Sequence, residues 1–154
     1  MFASMRLREF FTPESVRLDL SGATRGDILN ELVDLLKLDE RSAETLVKIL
    51  SRREELGSTG VGRGIAIPHG RSLVVNNVRL AYGHHPAGIA YDAIDGLPVH
   101  HFFLIVAPPI EVSNQYLPIL GKIAQFAKDP DVPERLAKLQ TAEGFFEMLE
   151  EKGV

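Results

Sequence analysis

Residues 57–71 read Gly57-Ser-Thr-Gly-Val-Gly-Arg-Gly-Ile-Ala-Ile-Pro-His-Gly-Arg71, with five glycines in fifteen residues and one histidine, His69, set between a proline and a glycine. A Walker loop would end in Gly-Lys-Ser/Thr, whereas Gly60-Val-Gly-Arg-Gly64 runs into the apolar Ile65-Ala-Ile67. A dinucleotide loop follows a strand and opens a helix. Here the order is reversed, because a helical pattern precedes the glycines and a strand-like run follows them. The stretch therefore reads as short strand pieces joined by glycine turns, with Ile65-Ala-Ile67 buried and His69 displayed at the end.

Working outward, Ala43, Leu46, Val47, Ile49 and Leu50 recur at helical spacing, and the segment turns highly charged at Ser51-Arg-Arg-Glu-Glu55 before Gly57 stops it. Arg52 and Arg53 fall in the last turns of that helix. Ahead of it, Thr24-Arg-Gly-Asp27 fits a capping box opening a helix that runs to about Lys37, with Ile28, Leu29, Leu32, Val33, Leu35 and Leu36 on its stripe. Val16 to Leu20 alternates as a short strand. Downstream, Val78 to His85 reads as a strand and His101 to Ala107 as a central strand covered on both faces, with a turn at Asp95-Gly96 between them.

An amphipathic helix follows from Tyr116 through Ala127, with Pro118 tolerable near its first turn, and two short helices follow at 131–139 and 141–152. The order of strand, two helices, several strands and then helices implies an α/β fold with a mixed sheet covered by helices. With 154 residues, 45% of them hydrophobic, the chain reads as one domain spanning 1–154.

Composition narrows the function. A net charge of −4 without a basic cluster gives no footprint for nucleic acid. Apolar runs such as Phe102 to Pro109 stop well short of the roughly 20 residues of a membrane span, and Met1 to Phe11 lacks the apolar region of a signal peptide. A cytoplasmic location is expected. There is no cysteine, which removes disulfides, thiolate metal sites and a cysteine nucleophile from this chain.

The bland reading of His69 is a satisfied structural histidine among glycines that serve positive-φ turns. The chemical reading starts from its neighbours. Pro68 fixes the local backbone, Gly70 is expected to leave space beside the imidazole, and Arg71 adds a cation nearby in sequence. A neutral imidazole with one nitrogen held offers the other as nucleophile or metal ligand. The remaining histidines form the pairs His84-His85 and His100-His101, and alternation along a strand should send at most one of each pair to a common site. A three-histidine metal site thus has no recognisable motif behind it. Phosphoryl transfer asks instead for donors and cations around three oxygens, and Ser58, Thr59, the glycine-rich backbone, Arg53 and Arg71 could supply them.

The run from Arg53-Glu-Glu-Leu-Gly-Ser-Thr-Gly60 to Ile65-Ala-Ile-Pro-His-Gly-Arg71 resembles the signature of enzyme IIA domains of the fructose/mannitol class in the bacterial phosphoenolpyruvate phosphotransferase system. Phe11-Thr-Pro-Glu-Ser-Val-Arg-Leu-Asp-Leu20 resembles the family's opening, and Phe103-Leu-Ile-Val-Ala-Pro108 its last core strand. The resemblance implies a mixed sheet of about five strands, a phosphoacceptor histidine at His69, an assisting arginine at Arg53, and a donor that is the phosphocarrier protein HPr or a paralogue. It implies no metal and no nucleotide cofactor. Where family members carry a second active-site histidine in His-Leu-x-x-Leu, this chain has Tyr116-Leu-Pro-Ile-Leu120. Tyr116 can still donate a hydrogen bond, or it can be a helix residue packed on the sheet.

The Leu56-Gly-Ser-Thr-Gly60 wording and the stand-alone length most resemble the nitrogen-regulatory branch, whose phosphorylation state governs binding to target proteins. The alternative is a sugar-transport enzyme IIA subunit that passes the phosphoryl group to the cysteine of a separate enzyme IIB.

Overall fold

The computed structural model describes residues 5–111 and 114–154. Residues 1–4 and 112–113 of the expected domain lie outside the described residues. Two 3₁₀ turns, Leu7–Phe10 and Pro13–Ser15, lead into β1 (Val16–Arg17), followed by α1 (Arg25–Asp34) and α2 (Glu40–Leu56). Then come β2 (Gly60–Gly62), β3 (Ile65–Ala66), β4 (His69–Arg71), β5 (Arg79–Ile89), β6 (Val99–Ala107), α3 (Tyr116–Lys128), α4 (Val132–Ala137) and α5 (Ala142–Glu151). The α1 capping box is present: Thr24 Oγ1 accepts from the Asp27 amide and Asp27 accepts back from the Thr24 amide. The helix proper ends at Asp34, three residues before the expected Lys37. The first strand is also shorter than Val16–Leu20, with Leu20 tied to the sheet by its amide on the His84 carbonyl at 2.8 Å.

The sheet is mixed, in the order β1-β5-β6-β3-β2, and β4 also pairs with β6. β6 is central. It runs antiparallel to β5 and parallel to both β3 and β4. Since β5 occupies one edge of β6, β3 and β4 lie one after the other along the second edge, at His101–Phe102 and at Ile105–Ala107. Pro68 separates them because it has no N–H to place in a ladder. Its carbonyl still accepts from the Ile105 amide at 3.0 Å. About five strands were expected, and the six segments reflect this division of one edge into two.

Two cores flank the sheet. Leu80, Tyr82, Phe103 and Ile105 pack toward α3, α4 and α5, while Ala81, Phe102, Leu104 and Val106 pack toward α1 and α2. Coverage on both faces explains why the β6 sequence is apolar without alternation. The helices make this a three-layer α/β domain.

The glycine-rich stretch is mostly a hairpin. β2 and β3 pair antiparallel, and the tip Gly62-Arg63-Gly64 has φ of 96°, 59° and 78°, the left-handed region that glycine enters without steric cost. Arg63 is held there by its amide on Asp95 Oδ2 and by its guanidinium on the Ala127 and Asp129 carbonyls, at 2.9, 2.7 and 2.8 Å. This tip lies beside His100 and His101, whose amides donate to the Gly64 carbonyl. Its amides are therefore at the opposite end of β6 from His69 and are not donors to that histidine, contrary to the expectation for this part of the loop.

Candidate functional site

His69 opens β4, aligned with Ile105 of β6, and is half-buried. Its Nδ1 lies 2.7 Å from the Ile67 carbonyl oxygen. A carbonyl can only accept, so Nδ1 carries the proton and the Nε2 lone pair is left for chemistry. Strand alternation puts Arg71 on the same face as His69 and turns Gly70 to the other. Gly70 does not open space beside the imidazole, as expected from sequence, but lets α2 approach: a Cβ there would meet Leu50 and Ile49 at 3.4 and 3.5 Å.

Arg53 lies one turn beyond that contact, in the last turn of α2. Its Nη1 donates to the Gly57 carbonyl at 2.7 Å, and its positive charge complements the helix C-terminus. Arg71 Nη1 donates to the Pro108 carbonyl at 2.9 Å and lies 3.9 Å from Glu111 Oε1. The Arg71 Cζ sits 4.4 Å from the centroid of the Tyr116 ring. Tyr116 is the first residue of α3, buried, with its ring centroid 6.4 Å from that of His69. Burial raises the Tyr116 hydroxyl pKa, while the Arg71 and Arg53 cations pull it down and Glu111 adds to the rise. The phenol is accordingly neutral around pH 7. His69 and Arg71 of β4 thus meet Tyr116 of α3, and Arg53 of α2 is near enough for its charge to act on the Tyr116 hydroxyl.

Ser58 and Thr59 occupy the same region, but their hydroxyl protons are committed elsewhere. Ser58 Oγ donates to the Tyr91 carbonyl at 2.5 Å and accepts from the Gly60 amide at 3.0 Å. Thr59 is buried; its amide donates to Glu54 Oε1 at 2.9 Å and its hydroxyl donates to Glu54 Oε2. These bonds fix the exit from α2, so both residues shape the loop ahead of His69.

Glu54 itself was missed from sequence. It neighbours Arg53 in the signature stretch, yet nothing in its spacing marks a carboxylate that turns inward and is only 3% exposed. Glu111 was missed as well: its Oε1 accepts from the Tyr116 amide at 2.8 Å, closing the α3 N-terminus where negative charge suits the helix dipole.

The other four histidines form a separate group. His84, His100 and His101 line a cleft of about 530 Å³ with Arg63 and Glu134, at the opposite end of β6. Alternation predicted that His100 and His101 would not share a site. The β5–β6 register breaks between His84 and Ile89, and His100 folds over Gly88, where a Cβ would come within 2.6 Å of its ring. His85 points away, its Nδ1 accepting from the Gly88 amide and its Nε2 donating to the Gly22 carbonyl. Among the described residues no group of three or more candidate ligands is placed to hold a metal.

His101 is stacked on His84 at 5.0 Å and bonded through Nδ1 to the Tyr82 hydroxyl at 2.9 Å. Burial, and then the neighbouring His84 and His100, push its pKa down to about 3, against a hydrogen bond to Pro133. His84 is lowered too, chiefly by burial. With folded values below the ordinary 6.5, the unfolded chain binds more protons. The contribution to stability is complete above about pH 6.5 and is lost as the pH falls through that value toward 3. We expect urea midpoints to drop between pH 7 and pH 4.5, with His101 alone contributing on the order of 2–3 kcal/mol. A flat profile from pH 7 to pH 5 would show that these imidazoles are protonated without cost.

The site is thus an imidazole on an α/β scaffold with one ring nitrogen fixed, beside the Tyr116 ring on which the Arg71 guanidinium sits. Residues 9–152 match the family model described as phosphoenolpyruvate-dependent sugar phosphotransferase system, EIIA 2, and the chain belongs to that family. It is a phosphotransferase component of the kind that accepts a phosphoryl group on histidine.

The chain is 33% identical over 147 residues to a nitrogen regulatory protein of Pseudomonas aeruginosa, covering 94% of this chain and 95% of that one. It is 27% identical over 149 residues to the fructose-specific EIIABC component of Bacillus subtilis, covering 94% of this chain but 23% of that larger protein. Among solved structures, the nitrogen regulatory protein IIA-Ntr of Neisseria meningitidis superposes with a TM-score of 0.83 at 29% identity, covering 92% of this chain and 97% of that chain.

Proposed function

We propose that this chain is a cytoplasmic phosphocarrier of the nitrogen-regulatory type, taking a phosphoryl group on His69 from HPr or a paralogue. The observation that carries the assignment is the 2.7 Å bond from His69 Nδ1 to the Ile67 carbonyl, which leaves Nε2 as the nucleophile. In the reaction the Nε2 lone pair forms the new P–N bond, and the electron pair of the breaking bond returns to the donor's imidazole nitrogen. The Nδ1 proton stays in place, and the carbonyl offsets the positive charge that develops on the ring. Arg53 and Arg71 are the groups that neutralise the equatorial oxygens, and the Tyr116 ring lies against both the Arg71 guanidinium and the His69 ring. Ser58 and Thr59 serve the phosphate by holding the loop.

The rim of the site suits a protein donor. Leu56, Leu73, Ile110 and Leu117 are all exposed and follow or precede Arg53, Arg71, Glu111 and Tyr116 by one to three residues. A dianionic phosphoryl group added near these exposed apolar side chains changes which partner surface fits, and in this reading that change is what target proteins sense.

The similarity to a fructose-specific EIIABC component favours a second reading, in which the acceptor is a separate enzyme IIB cysteine. Loading the chain with labelled phosphate and adding a purified fructose-class IIB domain separates the two. The regulatory reading expects the label to stay on the chain, whereas rapid appearance of the label on the IIB cysteine would install the transport reading in its place.

A further inference from the structure

We propose that Tyr116 is a positioning residue whose ring face, rather than its hydroxyl, holds the Arg71 guanidinium in the geometry that transfer to His69 requires. This rests on the reading of His69 as the acceptor.

Three contacts fix Arg71. The Pro108 carbonyl takes one N–H at 2.9 Å, Glu111 lies 3.9 Å away, and the Tyr116 ring lies beneath the guanidinium carbon at 4.4 Å. A guanidinium has five N–H groups in a fixed fork, so holding it by one N–H and one face leaves the rest of the fork to meet phosphoryl oxygens. The stacking partner is itself anchored, because Glu111 Oε1 also accepts from the Tyr116 amide at 2.8 Å. Glu111 thus couples the cation and the ring to one carboxylate. Cation and aromatic face attract when partly desolvated, and the Arg71 side chain is 38% exposed and Tyr116 buried.

The hydroxyl stays protonated near neutrality. Burial raises its pKa, so it neither carries charge nor exchanges a proton near neutrality. A tyrosine at this place therefore gives up a titrating group and gains a permanent platform for a permanently charged one.

The test compares Tyr116→Leu, Tyr116→Phe and Arg71→Ala with wild type, in single-turnover transfer from phosphorylated HPr and, separately, from phosphoramidate. For Tyr116→Leu we expect the maximal rate to fall about tenfold with the half-saturating HPr concentration unchanged. Tyr116→Phe keeps the ring and should restore the rate to within about threefold of wild type, with a superimposable pH profile. Adding Tyr116→Leu to Arg71→Ala should cost nothing further, because the ring acts through that arginine.

The proposal is overturned if Tyr116→Phe is as slow as Tyr116→Leu, if Tyr116→Leu is as fast as wild type, or if the double variant is additive. The ¹H–¹⁵N resonance of Arg71 Nε gives a readout without turnover: shifted by the ring in wild type and Tyr116→Phe, released in Tyr116→Leu. An unshifted resonance in wild type would equally sink the idea. Wild-type protein that takes phosphate from neither donor would instead remove the acceptor reading of His69, and the proposal with it.

Discussion

His69→Gln protein should take up no phosphate from phosphoenolpyruvate, enzyme I and HPr, while wild type takes up one. Glutamine keeps a polar group of similar reach, but its amide nitrogen is delocalised and is not a nucleophile. The fold should tolerate the change, since the histidine is half-buried and its ring donates to the Ile67 carbonyl, a bond that an amide N–H can replace. The other four histidines offer no substitute. His85 has both ring nitrogens bonded, His101 is buried against Tyr82, and His84 and His100 lie in the cleft at the far end of β6. Intact-mass measurement before and after brief acid treatment reads the result. An acid-labile phosphate retained by the variant would show that another histidine is the acceptor.

Arg53→Ala carries the second large effect. In the free protein this guanidinium donates one hydrogen bond to Gly57 and extends its charge to Tyr116, so its remaining donors are available to the incoming group. Removing a preorganised cationic donor from a transferring phosphoryl group costs about a hundredfold or more in rate. Arg53→Lys keeps the charge and loses the planar fork, and it should fall between the two. Single-turnover transfer from phosphorylated HPr measures this directly. A loss smaller than about threefold would reduce Arg53 to a cap on the end of α2.

The elements legible in the sequence are those in which local pattern and tertiary burial agree. The β6 run is apolar because it is covered on both faces, and α2 carries one periodic stripe and a charged end. The Thr24 capping box named its own helix start. The division of β3 from β4 was not legible as such. Each is two or three residues long and owes its existence to parallel pairing with β6, about 35 residues away in sequence. The role of Pro68 emerges only once that pairing is known.

The site shows the same contrast. The motif pointed to His69, Arg71 and Tyr116, and the structure places these three side by side. Ser58 and Thr59 have the right chemistry for phosphate, but Tyr91 and Glu54 claim their protons through contacts that no local pattern encodes. Gly70 was read as open space beside the imidazole, whereas the alternation of β4 turns that space toward Ile49 and Leu50. Glu54 and Glu111 were invisible for a related reason. A carboxylate in a charged helix end or a loop reads as solvated until the fold shows which backbone amides it meets.

The central claim is that phosphate enters on Nε2 of His69 while Nδ1 keeps its proton on the Ile67 carbonyl. Nitrogen-15 NMR of histidine-labelled protein, recorded before and after phosphorylation, tests it most directly. The account predicts a phosphorus-coupled Nε2 and a protonated Nδ1 on one histidine, absent from His69→Gln. Phosphate on Nδ1, or on any of the four remaining histidines, would contradict it.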